Sequence, residues 1–184
     1  MYYYLVGIKG TGMSALAAML YDCGHNVVGS DVSLNYGFEQ ELTKRNIQIL
    51  EFSSSNITGD HIYIIGNAYN DDNEEVKSIK TNKFKFFYYH EFISKLEGFH
   101  IAVSGTHGKT TTTNFIKQLL KDEPIAYIIG DGTGGGCTNY KYLIYEACEY
   151  QDHFLVYNPD ILVITNIDYD HPDYFKSIDE VRKS

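Results

Sequence analysis

The sequence predicts an α/β protein built on two successive parallel sheets, and three observations carry that expectation. A strand, a glycine turn and a helix follow one another twice, at residues 2–20 and at residues 101–120. Short apolar runs alternate with helical stretches between and after these units. Residues 161–165 form a continuous apolar run, the pattern of a strand buried on both faces of a parallel sheet.

The first strand is expected at residues 2–8, followed by the turn Lys9-Gly10-Thr11-Gly12 and a helix over residues 13–20 that is apolar on every side. Gly24 closes that helix, and residues 26–31 read as the second strand. Further strands are expected at residues 47–50, 61–65 and 84–87, with helical stretches at 39–45 and 72–78 between them. Lys95-Leu96-Glu97-Gly98 marks a boundary, dividing the chain into residues 1–97 and 98–184. The second part opens with a strand at 101–104, a glycine turn and a helical pattern at 114–120. Strands at 125–129, 142–146 and 161–165 follow, and another helix begins near Ile178. The glycine-rich stretch 130–136 is too poor in side chains to be core, which leaves either a plain surface loop or one that closes over a ligand.

Bulk properties narrow the function. The chain has 184 residues, 43% of them hydrophobic and 21% charged, which is ordinary for a globular protein. A net charge of −9 argues against a general nucleic-acid binder, because phosphate affinity needs clustered Lys and Arg. Any anionic ligand must be held by local charges, backbone dipoles or metal. Cys23, Cys137 and Cys148 have no metal-ligand spacing and read as reduced thiols of a cytoplasmic protein. No run approaches membrane-spanning length, and the start reads as a strand and not as a signal peptide.

Gly105-Thr106-His107-Gly108-Lys109-Thr110-Thr111-Thr112 is the most informative stretch. A glycine turn with Gly-Lys-Thr between strand and helix cradles nucleotide phosphates. Backbone N–H groups and the positive helix end face the anion, the lysine adds a mobile charge, and the threonine hydroxyl can hold Mg²⁺. The threonine run to Thr113 is a poor helix start on propensity alone, and such local conflicts mark functional sites. Val103 stands where the common form of the motif has a glycine, so the loop is a shortened variant.

The first turn, Gly7 to Gly12, resembles the dinucleotide fingerprint, but Lys9 occupies its middle glycine position. Asp31 ends the second strand, where an acidic residue can bind a ribose hydroxyl. A nucleotide with a pyrophosphate is the broader inference, and an NAD-dependent oxidoreductase leaves the phosphate loop unexplained. Glu146 ends one later strand, while Asn166, Asp168, Asp170 and His171 follow another. Ligands of open parallel sheets bind beyond the carboxyl ends of the strands, so these groups converge with the phosphate loop as candidate metal ligands. His107 reads as a residue of loop shape or substrate contact.

Taken together, these motifs resemble those of the Mur ligases, the amide-forming enzymes of peptidoglycan precursor synthesis. The likeness rests on the Gly105–Thr112 loop, on Val6 to Ser14 with Gly29-Ser30-Asp31, and on the segments 145–150 and 165–175, and it spans the whole chain. It implies a Rossmann-like UDP-binding domain followed by part of a P-loop-type ATP-binding domain, in a chain that stops before a third domain. Within the family the segments around Glu146 and Asp168 favour the branch that joins L-alanine to UDP-N-acetylmuramate. The branch that attaches a tripeptide, which Ile65 to Ala68 also suits, and a non-catalytic UDP-sugar-binding module are the alternatives. The implied reaction moves the ATP γ-phosphoryl to the lactyl carboxylate and lets the amine attack the acyl phosphate.

The resemblance also implies site residues. Lys109 meets the β- and γ-phosphates, with Gly105, Thr106, His107, Gly108 and Thr111 shaping the ATP loop. Thr110, Glu146 and His171 hold Mg²⁺, and Asn166 is an active-site contact. Gly7, Gly10, Gly12, Met13 and Ser14 face the UDP pyrophosphate, and Asp31 lies near the uridine.

Overall fold

Tyr2–Val6 (β1) is buried from Tyr3 onward, on both faces, and sets the first layer. Tyr3 and Leu5 enter one apolar cluster, and Tyr4 and Val6 enter another on the opposite face. The computed structural model describes residues 1–34, 37, 39–148, 154–169 and 174–183. Beside β1 lie Asn26–Ser30 (β2), Gln48–Leu50 (β3), Ile62–Ile65 (β4) and Phe86–Tyr88 (β5), all parallel, in the order β3-β2-β1-β4-β5. The strand order reverses between β1 and β4, which opens a crevice at their carboxyl ends. Thr11–Asp22 (α1), Gln40–Lys44 (α2), Glu74–Thr81 (α3) and Tyr89–Ile93 (α4) complete this half. Asn73 caps α3 by accepting the N–H groups of Glu75 and Val76 at 2.9 and 3.2 Å.

The second sheet contains Phe99–Ser104 (β6), Ile125–Ile128 (β7), Gly134–Gly135 (β8), Tyr142–Glu146 (β9) and Ile161–Ile164 (β10), in the order β10-β6-β9-β7-β8. All pairs are parallel except β7 with β8. Lys109–Leu119 (α5) follows β6, and Ile178–Lys183 (α6) lies near the end. Because β9 and β10 flank β6 in parallel, the residues after all three strands emerge at one edge. The fold is therefore the α/β architecture that the sequence predicts.

Helix α1 is buried from Met13 to Leu20 because it has a sheet on either side. It packs on β2 of the first sheet and on β7 and β8 of the second, and one apolar cluster runs through Leu5, Leu16, Leu20, Ala126, Ile128 and Leu143. Arg45 fastens the same junction, donating to Asp22 at 2.7 and 2.8 Å, to Glu41 at 2.7 Å and to the Gly134 carbonyl at 3.1 Å.

Two expectations fail here. The 130–136 stretch is not a plain surface loop throughout: Gly134 and Gly135 are buried strand residues pressed on α1. A Cβ on Gly134 would lie 1.8 Å from the Ala15 carbonyl oxygen, so the glycines are there to let backbone touch backbone. Strand β10 is not buried on both faces. It pairs with β6 alone at the sheet edge, and Ile161, Leu162 and Ile164 are about half exposed among the described residues.

Candidate functional site

Two clefts meet at the carboxyl edges of the sheets. The first, about 470 Å³, lies over the β1–α1 turn and is lined by Gly7, Gly10, Thr11, Gly12, Met13 and Asp31, with Gly66, Asn67, Ala68 and Tyr69 after β4. The second, about 260 Å³, is lined by Lys109, Ile128, Gly130, Glu146, Cys148 and Tyr157. Thr11, Gly12, Asn67 and Tyr89 line both. The clefts are neighbours that share these four residues as a common wall.

In the first cleft the turn is held from below: the Ser30 carbonyl accepts the N–H groups of Gly7 and Ile8 at 2.8 and 3.0 Å. Gly10 precedes α1, so the N–H groups of its first turn are directed out of the helix end toward the cleft. Ser14 is a different case. Its N–H donates to the Gly10 carbonyl at 2.8 Å and its side chain is fully buried, so it offers the cleft nothing; Thr11, absent from the sequence expectations, lines the cleft instead. Asp31 is buried and accepts from the Lys9 N–H at 2.7 Å, the Val32 N–H at 2.8 Å and the Tyr69 hydroxyl at 3.0 Å. The Lys9 ammonium turns toward the Val32 and Leu34 carbonyls and Glu39, so it braces the loop after β2. Gly7 has φ 84°, and a Cβ there would lie 2.2 Å from the Tyr69 ring.

The second cleft holds the phosphate loop. Gly105 has φ 121°, and a Cβ would lie 2.3 Å from Thr165 Oγ1 and 2.7 Å from the Asn166 carbonyl oxygen. Gly108 (φ 81°) starts α5. The loop is braced by the segment after β10. Asn166 accepts the His107 N–H at 3.1 Å and donates to the His107 carbonyl at 2.9 Å. Thr165 Oγ1 donates to the same carbonyl at 2.6 Å. Thr106 Oγ1 accepts the Asp168 N–H at 2.9 Å. These contacts make Asn166 a brace of the loop backbone. The Lys109 ammonium donates to the Gly105 carbonyl across the mouth of the loop. Thr113 turns its hydroxyl back to the Lys109 carbonyl at 2.8 Å, which absorbs one member of the threonine run.

Thr110 Oγ1 lies 3.3 Å from Glu146 Oε2, and Glu146 Oε1 accepts the Gly130 N–H at 2.7 Å. A hydroxyl and a carboxylate beside a phosphate loop are the hard oxygen donors that Mg²⁺ takes when phosphates and water supply its other ligands. The donor set fits that ion. His171 and Asp170, also expected here, lie outside the described residues. Among the described residues no group of three or more His, Cys, Asp and Glu side chains converges. Tyr89 and Tyr157 close the inner wall of the cleft. Burial raises both phenols well above the usual tyrosine value, and for Tyr89 the nearby Glu146 charge adds to this.

Residues 2–100 match the family model described as Mur ligase family, catalytic domain, and residues 103–184 match the Mur ligase middle domain. The chain belongs to the Mur ligase family. Among solved Mur ligases, the UDP-N-acetylmuramate-alanine ligase of Thermotoga maritima shares 27% identity over 100% of this chain, with a TM-score of 0.80. The UDP-N-acetylmuramate:L-alanyl-gamma-D-glutamyl-meso-diaminopimelate ligase of Neisseria meningitides shares 23% identity over 99% of the chain, with a TM-score of 0.81. A murein peptide ligase of Psychrobacter arcticus shares 22% over 94%, with a TM-score of 0.75. The last two likenesses speak for the fold. The chain spans 45%, 65% and 44% of the lengths of these three relatives, respectively. No helix among the described residues is long and apolar enough to cross a membrane.

Several residues of the two clefts escaped the sequence reading: Thr11 as a lining residue, Tyr69, Tyr89 and Tyr157. A usable signal existed for two of them. Tyr69 and Tyr89 follow the carboxyl ends of β4 and β5, where ligands of such sheets bind.

Proposed function

We propose that this chain carries the sugar-nucleotide and ATP sites of a cytoplasmic ligase that joins L-alanine to UDP-N-acetylmuramate. One observation carries the reading. The two clefts share Thr11, Gly12, Asn67 and Tyr89, so a ligand anchored at the start of α1 extends toward Lys109 and Glu146. Family membership supports it, and so does the likeness to the Thermotoga maritima alanine ligase along the full chain.

In this reading residues 1–97 hold the sugar nucleotide and residues 98–184 hold ATP. The N–H groups of Thr11, Gly12 and Met13 receive the pyrophosphate, and Asp31 stands at the uridine end. Lys109 leaves the Gly105 carbonyl for the β- and γ-phosphates. Thr110 and Glu146 hold Mg²⁺, with His171 a ligand to a second ion. The metal, when bound, neutralises charge on the transferring phosphoryl group. Gly105, Thr106, Gly108, Thr111 and the Asn166–His107 brace fix the loop, so that the sugar carboxylate meets the phosphorus in line. Positioning and charge neutralisation carry the chemistry.

In the full-length protein, Lys109→Ala abolishes ligation and leaves UDP-N-acetylmuramate affinity within about twofold, since the lysine does not line the first cleft. Near-normal turnover in that variant contradicts the assignment. Offering L-alanine and the tripeptide side by side tests the acceptor: amide formation with the tripeptide alone overturns the alanine assignment. Sugar-nucleotide binding without metal-dependent ATP chemistry marks a non-catalytic module.

A further inference from the structure

Tyr89 lines both clefts with a hydroxyl that no described residue uses. It is the first residue of α4, immediately after β5. The Glu91 carboxylate accepts the Tyr88 N–H at 2.9 Å, and Phe92 and Ile93 are buried, so the start of this short helix is fixed from both sides. The Tyr89 ring packs against the apolar cluster that joins the two sheets. Its hydroxyl end lies over the first turn of α1: a Cβ on Gly12 would be 2.8 Å from the phenol oxygen.

Tyrosine hydroxyls in such places ordinarily have a partner. In the same pair of clefts Tyr69 donates to Asp31 at 3.0 Å, and below the sheet Tyr4 donates to Glu75 at 2.9 Å. Among the described residues the Tyr89 hydroxyl makes no hydrogen bond, although Tyr89 lines both clefts. A rigid ring bearing an unused donor, beside the open N–H groups of α1 and facing Glu146 and Lys109, is built to meet a ligand that crosses from one cleft to the other.

We propose that Tyr89 donates a hydrogen bond to an oxygen of the acidic sugar, between its pyrophosphate and its carboxylate, and so directs the carboxylate toward the phosphate loop. The assignment rests on the sugar-nucleotide reading of the first cleft and adds a residue that selects what is attached to the nucleotide. Uridine diphosphate alone ends at the α1 turn and does not need Tyr89. The complete sugar nucleotide does.

Tyr89→Phe tests this, because it removes the oxygen and keeps the ring. Calorimetry on the chain with UDP-N-acetylmuramate and with UDP is expected to show about tenfold weaker binding of the former and UDP affinity within about twofold, the scale of one lost hydrogen bond in a polar ligand site. An unchanged melting temperature and unchanged Mg·ATP affinity exclude a folding defect. Equal weakening of both uridine ligands places the contact on the pyrophosphate and overturns the assignment, as does no weakening of either. If the unaltered chain binds neither ligand, the sugar-nucleotide reading itself fails, an outcome distinct from failure of the Tyr89 assignment.

Discussion

Truncating Glu75 is expected to be among the most damaging single changes in the first sheet, although the residue lines neither cleft. Its carboxylate is fully buried on α3 and collects four donors. Oε1 accepts from the Tyr4 hydroxyl at 2.9 Å, the Ser53 N–H at 3.1 Å and the Asn56 amide at 2.8 Å, and Oε2 accepts from the Ser30 hydroxyl. Among the described residues no cation pairs with it. Glu75→Ala strands the Tyr4 and Ser30 hydroxyls in a dry interior, each costing about 1–3 kcal/mol. Ser53 and Asn56 lie nearer the surface and regain water. The missing methylene adds about 1 kcal/mol of lost packing, and relief of carboxylate desolvation offsets part of the total.

The net expectation for Glu75→Ala is about 3–5 kcal/mol. Glu75→Gln keeps one oxygen toward the three donors and turns an NH₂ toward Ser30, whose hydroxyl can rotate to accept; about 1–2 kcal/mol is expected because the bonds lose their charge. For a chain of this size the alanine variant loses about 8–15 °C in melting temperature. Urea and thermal unfolding followed by circular dichroism give both values. An alanine variant within about 1 kcal/mol of the parent, or a glutamine variant as damaged as the alanine one, refutes the reasoning.

Gly105→Ala places a methyl group against Thr165 and the Asn166 backbone at a φ of 121°, so it should cost about 2–3 kcal/mol and weaken Mg·ATP binding with UDP-sugar affinity intact; calorimetry with both ligands checks this. Alkaline pH should destabilise the protein through Cys23. Burial, with the nearby Cys137 and Asp22, pushes that thiol from 9.0 up to about 11. A raised folded-state value favours the protonated form in the native protein, so stability is intact below pH 9 and falls as the unfolded thiol ionises between about 9 and 11. Melting temperatures across that range should decline less steeply in Cys23→Ala; an unchanged slope contradicts the assignment.

Much of the scaffold was legible because it is written in local patterns. The strand at Tyr142–Glu146 was read to the residue, and the phosphate loop and its helix are where Gly-Lys-Thr places them. The misreadings concern what lies across space. Glycines at 134 and 135 look like slack chain until α1 is seen against them, and the apolar run of β10 looks central until its neighbours are counted. Helix α1 carried the clue to the first error, since a helix apolar on every side needs something on its second face. The chemistry of Glu146 and Asn166 was legible in type but not in partnership: Asn166 braces the His107 backbone, a contact made between residues 59 apart in sequence. Glu75 carries no local signal, because its role is set by donors brought together from distant segments, and Tyr89 is marked only by its position directly after β5.

We propose above that the two clefts serve one reaction. A crystal structure of the chain with UDP-N-acetylmuramate and a non-hydrolysable Mg·ATP analogue tests it most directly. The pyrophosphate is expected at the start of α1, the sugar passing Tyr89, and the carboxylate oxygen about 3–3.5 Å from the γ-phosphorus beside Lys109 and Glu146. A sugar pointing away from Lys109, or a triphosphate bound elsewhere than the Gly105–Thr111 loop, would contradict it.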